Sequence, residues 1–217
     1  MPPEAASADI PIVAILRGVL PDQVVGVANV LLEVGIRTIE VPLNSPDPFA
    51  SIAALARALP ADCLAGAGTV LDPGDVRRTH EAGGRLVVSP NFDSGVVAAA
   101  LALDMRVMPG ILTPTEAFAA VRAGARQLKL FPAAALGPAH LRALRTVLPP
   151  EVEVFPVGGV AAGHIPEWRM AGAAGFGFGS EIFRPEYSLA QIRERALRIV
   201  EVLRDQKPYH KIGEGAP

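Results

Sequence analysis

Three charged residues stand in sequence segments that are otherwise apolar: Arg17 in AILRG, Glu40 in IEVPL and Lys129 in LKLFP. The other two lysines of the chain, Lys207 and Lys211, lie in a polar terminal segment. A lysine that is desolvated and close to another cation has a lowered pKa, which exposes the neutral amine that attacks a carbonyl. A glutamate within reach can move the protons of such a reaction. These residue types predict Schiff-base chemistry on Lys129.

Glycines are concentrated in two later segments, VGGV with Gly158 and Gly159, and GFGFGS, which ends at Ser180. Glycine lets backbone N–H groups approach an anion closely, and the loops after the last two strands of a TIM barrel recurrently bind phosphate. The two segments therefore predict a site for a phosphorylated small molecule. The alternative is that these glycines serve turns or close contacts between strands and helices.

The elements that would position these residues follow a βα pattern, in which short β-branched segments alternate with longer segments of helical spacing. The predicted strands are 10–18, 37–43, 64–71, 85–91, 106–110, 127–133, 153–159 and 175–180. Eight βα units in succession predict a parallel sheet that closes into an α/β (β/α)8 TIM barrel. A doubly wound open sheet is the competing fold, because strand count does not prove closure.

Helix-end signals agree with this pattern. Asp72 before Pro73 predicts an N-cap, and Thr113 with Glu116 predicts a capping box. The glycines expected at helix C-termini are Gly35, Gly83 and Gly124, and the last predicted helix is 188–204.

Side-chain alternation along the strands predicts which groups meet. In QLKLF, Lys129 points into the barrel, while Leu128 and Leu130 face the helices. The same parity predicts inward side chains for Arg17, Glu40 and Thr69. Four polar side chains would then converge at the C-terminal ends of the strands, where barrel active sites lie. A purely structural Arg–Glu pair is the alternative, although burying three charges in one interior is costly without a function.

Composition limits the classes of protein and partner. The 217 residues carry a formal net charge of -2, which excludes a basic nucleic-acid footprint or membrane-binding face and favours small molecules or further copies of the chain as partners. A single cysteine, Cys63, excludes an intrachain disulfide and favours the cytoplasm. We expect one domain over 10–204, between a flexible leader at 1–9 and a flexible tail at 205–217.

Several other motifs are discounted. GAGTVL lacks the third glycine of a dinucleotide-binding fingerprint, and Ser180 stands in GSE rather than in the G-x-S-x-G of a hydrolase. The histidines His80, His140, His164 and His210 are scattered and form no metal-ligand pattern. The sequence therefore predicts neither a metal nor a cofactor.

Seven motifs in order carry a resemblance to a known family: AILRG, IEVPLNSP, GAGTVL, VSPN, LKLFPA, VGGV and GFGS. From about Ile10 to about Phe183 the chain resembles the class I 2-keto-3-deoxy-6-phosphogluconate/galactonate aldolases. The resemblance implies a (β/α)8 barrel, a homotrimer, and metal-free cleavage of a 6-phosphorylated 2-keto-3-deoxy sugar acid to pyruvate and glyceraldehyde 3-phosphate.

The resemblance also implies roles for individual residues. Lys129 matches the Schiff-base lysine and Glu40 the proton-transferring glutamate. The implied substrate contacts are Gly158, Gly159 and Ser180 for the phosphate, Arg17 and Thr69 for the carboxylate end, and Pro90 and Phe131 for the apolar walls.

Two positions suggest a choice within the family. Gluconate-type enzymes tend to have arginine where Asn44 stands and threonine where Val157 stands, so this chain resembles the galactonate type. The two substrates differ in configuration at C4, and exchange of a hydroxyl for a methyl near that carbon can change which epimer fits. The alternatives are the same chemistry on the gluconate epimer, a phosphate-binding barrel isomerase or synthase, and a non-catalytic phosphosugar-binding barrel.

Overall fold

A computed structural model describes residues 10–206 of the chain. The predicted leader at 1–9 and the predicted tail at 205–217, apart from residues 205 and 206, lie outside the described residues. Strands and helices alternate throughout. The strands are β1 (Ile12–Ile15), β2 (Thr38–Pro42), β3 (Leu64–Gly68), β4 (Leu86–Val88), β5 (Arg106–Met108), β6 (Gly110–Ile111), β7 (Gln127–Leu130), β8 (Glu153–Pro156) and β9 (Phe176–Phe178).

The α-helices are α1 (Val24–Glu33), α2 (Pro48–Ala58), α3 (Pro73–Glu81), α4 (Ser94–Ala102), α5 (Pro114–Arg122), α6 (Gly137–Arg145), α7 (Ile165–Met170) and α8 (Leu189–Arg204). Short 3-10 helices occupy Ala133–Ala135 and Ala162–His164. Within residues 10–206, no helix has the length and apolar character needed to cross a membrane.

The strands form two parallel sheets. One sheet has six strands in the order β5-β4-β3-β2-β1-β9, and the other has three in the order β6-β7-β8. Every predicted strand segment contains a strand, but the strands are shorter than expected. The predicted strand 106–110 is divided at Pro109, which has no N–H to donate to a ladder. Its first part pairs with β4 and its second part with β7.

Contacts join β8 to β9 across the gap between the sheets. Val157 and Gly177 form an isolated parallel bridge, and the Ala174 N–H donates to the Val154 carbonyl at 3.0 Å. A Cβ on Gly177 would lie only 2.6 Å from Cγ2 of Val157, and one on Gly175 would overlap the ring of Phe155. These two glycines therefore serve close packing. The result is an α/β fold on curled parallel sheets.

The two faces of the strands have different neighbours, which confirms the predicted alternation. The residues that pack between sheet and helices include Ala14, Leu16, Ile39, Val41, Leu128 and Leu130. On the opposite face, a small apolar cluster consists of Val13, Leu86, Val88, Met108 and Phe155. Because Glu40 and Lys129 alternate with the first set, their side chains are directed toward the inner face.

Local sequence signals account for the helix ends. The Asp72 carboxylate accepts a hydrogen bond from the Gly74 N–H at 2.6 Å, and Thr113 and Glu116 form the reciprocal capping box. The predicted C-terminal glycines have positive φ values of 96°, 84° and 102° at Gly35, Gly83 and Gly124. Such values favour glycine because a Cβ is strained there.

Candidate active site

A cavity of about 310 Å³ lies at the C-terminal ends of the strands. Nine of the residues predicted for the site line it: Arg17, Thr69, Pro90, Lys129, Phe131, Val157, Gly158, Gly159 and Ser180. Glu40 is buried beneath this end and pairs in register with Ile15, a lining residue. Asn44 is not part of the lining, but its side chain contacts Arg17, which is.

Lys129 is held in the middle of a sheet. Its register partners are Gly110 in β6 and Phe155 in β8, and its N–H donates to the Pro109 carbonyl at 2.9 Å. The side chain is buried, and Nζ lies 5.0 Å from the centre of the Phe131 ring. Burial lowers the pKa of Lys129; the Glu40 charge partly opposes this shift, and the Arg17 charge adds to it. The neutral amine is therefore more populated than in an exposed lysine.

Glu40 is part of β2, which pairs with β1 on one side and with β3 on the other, and it is only 1% exposed. Its Oε2 has no hydrogen-bond partner in the described part of the chain. Burial raises the pKa of Glu40 to about 7, although the positive charges of Lys129 and Arg17 act in the opposite direction. No ion pair among residues 10–206 includes Glu40, Lys129 or Arg17. A carboxyl group in this state can both accept and release a proton near neutral pH.

Gly68 makes the space for this carboxyl group, and sequence reasoning missed it. A Cβ at position 68 would overlap the Glu40 carboxylate, and a Cβ at Gly66 would overlap the backbone of Leu86 in β4. The glycines of GAGTVL are thus explained by close packing within the strands. The missed signal was the G-x-G spacing in a strand, which marks close approach by another group.

Arg17 differs from the expectation in one respect. It reaches the cavity as predicted, but it is exposed rather than buried, because β1 ends at Ile15 and the chain has already left the sheet. Nη1 donates to Oδ1 of Asn44 at 2.5 Å, and Nη2 donates to Oγ1 of Thr69 at 3.5 Å. Thr69 has a φ of 57°, a left-handed conformation that is uncommon for a β-branched residue.

The far end of the cavity presents backbone N–H groups. Gly158 and Gly159 have φ values of 91° and 75°. Among the hydrogen bonds within residues 10–206, none has the N–H of Gly158, Gly159, Ser180 or Glu181 as its donor. Several free N–H groups that line one cavity form a concave site for an anion. Glu181 also lines the cavity and was not predicted, although it directly follows Ser180.

The remaining reactive residues lie elsewhere. Cys63 is near Arg37 and Asp62, and burial raises the pKa of its thiol, which disfavours the reactive thiolate. None of the histidines in residues 10–206 lines the cavity. In the described part of the chain, no three His, Cys, Asp or Glu residues are grouped so that they could hold a metal ion.

Comparisons with known proteins identify relatives of this chain. The chain is 47% identical over 187 residues to a probable 2-dehydro-3-deoxy-6-phosphogalactonate aldolase of Rhizobium meliloti, which covers 86% of this chain and 88% of that protein. It is 41% identical over 196 residues to the 2-dehydro-3-deoxy-6-phosphogalactonate aldolase of Escherichia coli, with coverage of 90% and 96%.

A solved structure described as "Native KDPGal structure" superposes with a TM-score of 0.89 at 40% identity, covering 91% of this chain and 96% of that one. The sequence profile of the family described as "Aldolase: KDPG and KHG aldolase" matches residues 4–195. A match of this extent, together with the arrangement of Lys129 and Glu40, shows that the chain belongs to the KDPG and KHG aldolase family.

Proposed function

We propose that this protein is a class I, Schiff-base aldolase that cleaves 2-dehydro-3-deoxy-6-phospho-D-galactonate to pyruvate and D-glyceraldehyde 3-phosphate. The observation that carries the proposal is the buried Lys129, whose pKa is lowered at the cavity wall. Membership of an aldolase family supports the reaction class, and the names of two relatives support the substrate.

The first half of the reaction uses Lys129 as the nucleophile. Its neutral amine attacks the C2 carbonyl to give a carbinolamine, and loss of water gives an iminium. Burial favours this attack because it disfavours the charged ammonium form. The iminium then accepts the electron pair released when C3–C4 breaks.

The second half uses Glu40 to move protons. Its carboxylate, acting through a water molecule, takes the C4 hydroxyl proton as the C3–C4 bond breaks and the aldehyde forms. The enamine left on Lys129 is protonated at C3, and hydrolysis of the resulting iminium releases pyruvate. A pKa of about 7 suits a group that accepts a proton in one step and returns it in another.

The two ends of the cavity fit the two anionic ends of the substrate. The free N–H groups of Gly158, Gly159 and Ser180 would receive the phosphate, while Arg17 and Thr69 would receive the carboxylate. Pro90 and Phe131 would form apolar walls around the pyruvyl carbons. We also propose that the reaction requires neither a metal ion nor a cofactor.

Val157 supports the galactonate epimer over the gluconate epimer. It lines the cavity directly and is buried, so its methyl groups can contact the substrate chain. A threonine at this position would place a hydroxyl in the same space. Discrimination of this kind is worth about 10- to 100-fold at most in an apolar pocket.

The proposal extends to architecture and assembly. The bridge between Val157 and Gly177, together with the continuity of β5 and β6 through Pro109, supports one closed (β/α)8 barrel domain over 10–204. We also propose that the protein is a homotrimer and that it is located in the cytoplasm. Light scattering of the purified protein tests the trimer, because the measured mass would be three times the 22.6 kDa of one chain.

The function is tested by pyruvate release, coupled to lactate dehydrogenase, from the galactonate and gluconate epimers measured side by side. The proposal predicts turnover of both with a preference for the galactonate epimer, and a Val157→Thr variant that shifts the ratio toward the gluconate epimer. A preference for the gluconate epimer would be consistent with the proposed mechanism but would contradict the proposed substrate. Binding without turnover would indicate a phosphosugar-binding barrel, and pyruvate release that persists after Lys129→Ala would count against the Schiff-base mechanism.

A further inference from the structure

The exposed guanidinium of Arg17 is held at the cavity rim by a residue that does not itself line the cavity. Nη1 of Arg17 lies 2.5 Å from Oδ1 of Asn44. We propose that Asn44 is a positioning residue, which fixes the Arg17 guanidinium to receive the substrate carboxylate. The inference rests on the proposed function, and it gives Asn44 a role that is independent of the C4 configuration.

The neutrality of Asn44 is what keeps the arginine available. Other arginines on the surface pair with carboxylates, for example Arg37 with Asp62 at 2.8 Å and Arg193 with Glu33 at 3.2 Å. Arg17 makes no ion pair among residues 10–206, and its two contacts are with an amide and a hydroxyl. Its positive charge is therefore not neutralised, and a guanidinium with five N–H donors keeps three for another acceptor.

A holding contact is needed because Arg17 lies beyond the end of β1. An exposed arginine has many rotamers, and ordering it on substrate binding costs conformational entropy. The contacts come from two separate loops, Asn44 after β2 and Thr69 after β3. A guanidinium that is ordered before binding avoids part of this cost.

A second hydrogen bond joins the loop after β1 to the loop after β2. The N–H of Gly18 donates to Oγ of Ser45 at 2.9 Å, and Ser45 is buried. One bond between two side chains thus joins residue 17 to residue 44, and one bond from a backbone N–H to a side chain joins residue 18 to residue 45. This pairing fixes the distance between the two loops, so that the Asn44 amide meets the guanidinium rather than solvent.

The amide orientation follows from the partner. A guanidinium can only donate, so Asn44 must present Oδ1 and not its NH2 group. Aspartate at this position would preserve the contact but neutralise the charge. Alanine would remove the contact and leave the charge.

The test is a double-mutant cycle of Asn44→Ala and Arg17→Ala, with kcat and KM measured on both epimers. We expect Asn44→Ala to raise KM about tenfold, near the lower end of the effect of a hydrogen bond to a charged group, with little change in kcat. The rise should be equal for the two epimers because both carry the same carboxylate. In the Arg17→Ala background, Asn44→Ala should have almost no further effect.

Two results would overturn the inference. One is a double variant whose loss in kcat/KM equals the product of the losses in the two single variants. The other is a change in the ratio of kcat/KM for the two epimers on Asn44→Ala. Asn44→Asp should also raise KM, which a purely structural role for the contact would not produce. Asn29→Ala, exposed on α1, is the matched control and should leave KM unchanged. Thermal unfolding of each variant checks that it is folded.

The concentration of pyruvate needed to trap the Lys129 adduct with borohydride gives an independent readout, since pyruvate has the carboxylate but no C4. The pyruvate concentration needed for trapping should rise in Asn44→Ala in the same proportion as KM. Failure of the wild-type protein to release pyruvate would overturn the proposed function, whereas an active wild type with an unaffected Asn44→Ala overturns only this inference.

Discussion

A cavity of about 310 Å³ lies at the C-terminal ends of the strands, and one of about 350 Å³ lies at their N-terminal ends. The polar groups of the two cavities differ in whether they have hydrogen-bond or ion-pair partners. At the N-terminal end, Nε2 of Gln127 donates to Oε2 of Glu153 at 2.7 Å, so two polar side chains on neighbouring strands stabilise each other. At the C-terminal end, Glu40 and Lys129 are buried and have no ion-pair partner within residues 10–206, and four backbone N–H groups donate no hydrogen bond to that part of the chain.

This difference separates a structural end from a reactive one. Buried charges without partners lower stability, and they persist where chemistry requires them. The pKa shifts support this interpretation, because burial raises the pKa of Glu40 to about 7 and lowers that of Lys129, in each case toward the neutral form. Substitutions at the two ends should therefore have opposite profiles for activity and stability.

Lys129→Met should have the largest effect on activity. Removal of the nucleophile should lower kcat by more than about 10⁴-fold, as loss of a covalent catalyst usually does. Because a desolvated amine is replaced by an apolar side chain, the free energy of unfolding should rise or stay unchanged. Steady-state kinetics and denaturant unfolding measure the two quantities. Substantial residual turnover would mean that Lys129 is not the nucleophile.

Glu40→Gln should lower kcat by about 10²- to 10⁴-fold, the usual contribution of a general acid–base group. In the wild-type protein, kcat/KM should increase as pH rises through about 7, where the Glu40 carboxylate becomes available as a base. The amide cannot ionise, so the variant should lose this step. A pH–rate profile with the same step in both proteins would assign it to another group.

Gly68→Ala should lower kcat by about 10- to 100-fold, because the added Cβ overlaps the Glu40 carboxylate and displaces it. The control is Gly26→Ala in α1, where a Cβ would make an ordinary 3.8 Å contact with Leu189. Comparison of the two variants by kinetics separates displacement of Glu40 from the general effect of a methyl group. Equal activities would contradict the role assigned to Gly68.

Glu153→Ala, at the N-terminal end, should have the smallest effect on activity. Loss of the hydrogen bond from Gln127 should lower the free energy of unfolding by about 1 kcal/mol, while kcat/KM stays within about threefold of wild type. Urea unfolding and steady-state kinetics test both statements. A large loss of activity would mean that the two ends are not functionally separate.

Sequence reasoning identified the features that depend on local periodicity. Strand parity placed Lys129 and Glu40 on the inner face, and capping residues such as Asp72 and Thr113 marked helix starts. These inferences succeed because alternation and capping are fixed by residues close in sequence.

Features that depend on contacts between distant segments were not predictable in this way. The exposure of Arg17 depends on where β1 ends, and the role of Gly68 depends on a glutamate 28 residues earlier in the chain. The division of the fifth predicted strand at Pro109 depends on the pairing of β5 with β4 and of β6 with β7. The contact between Asn44 and Arg17 spans 27 residues.

Schiff-base formation on Lys129 can be tested by treating the protein with pyruvate and borohydride and mapping the product by peptide mass spectrometry. We expect a reduced pyruvate adduct on Lys129 in the wild-type protein and in Glu153→Ala, and no adduct in Lys129→Met. An unmodified Lys129 after this treatment, in protein that releases pyruvate from its substrate, would rule out Lys129 as the Schiff-base residue.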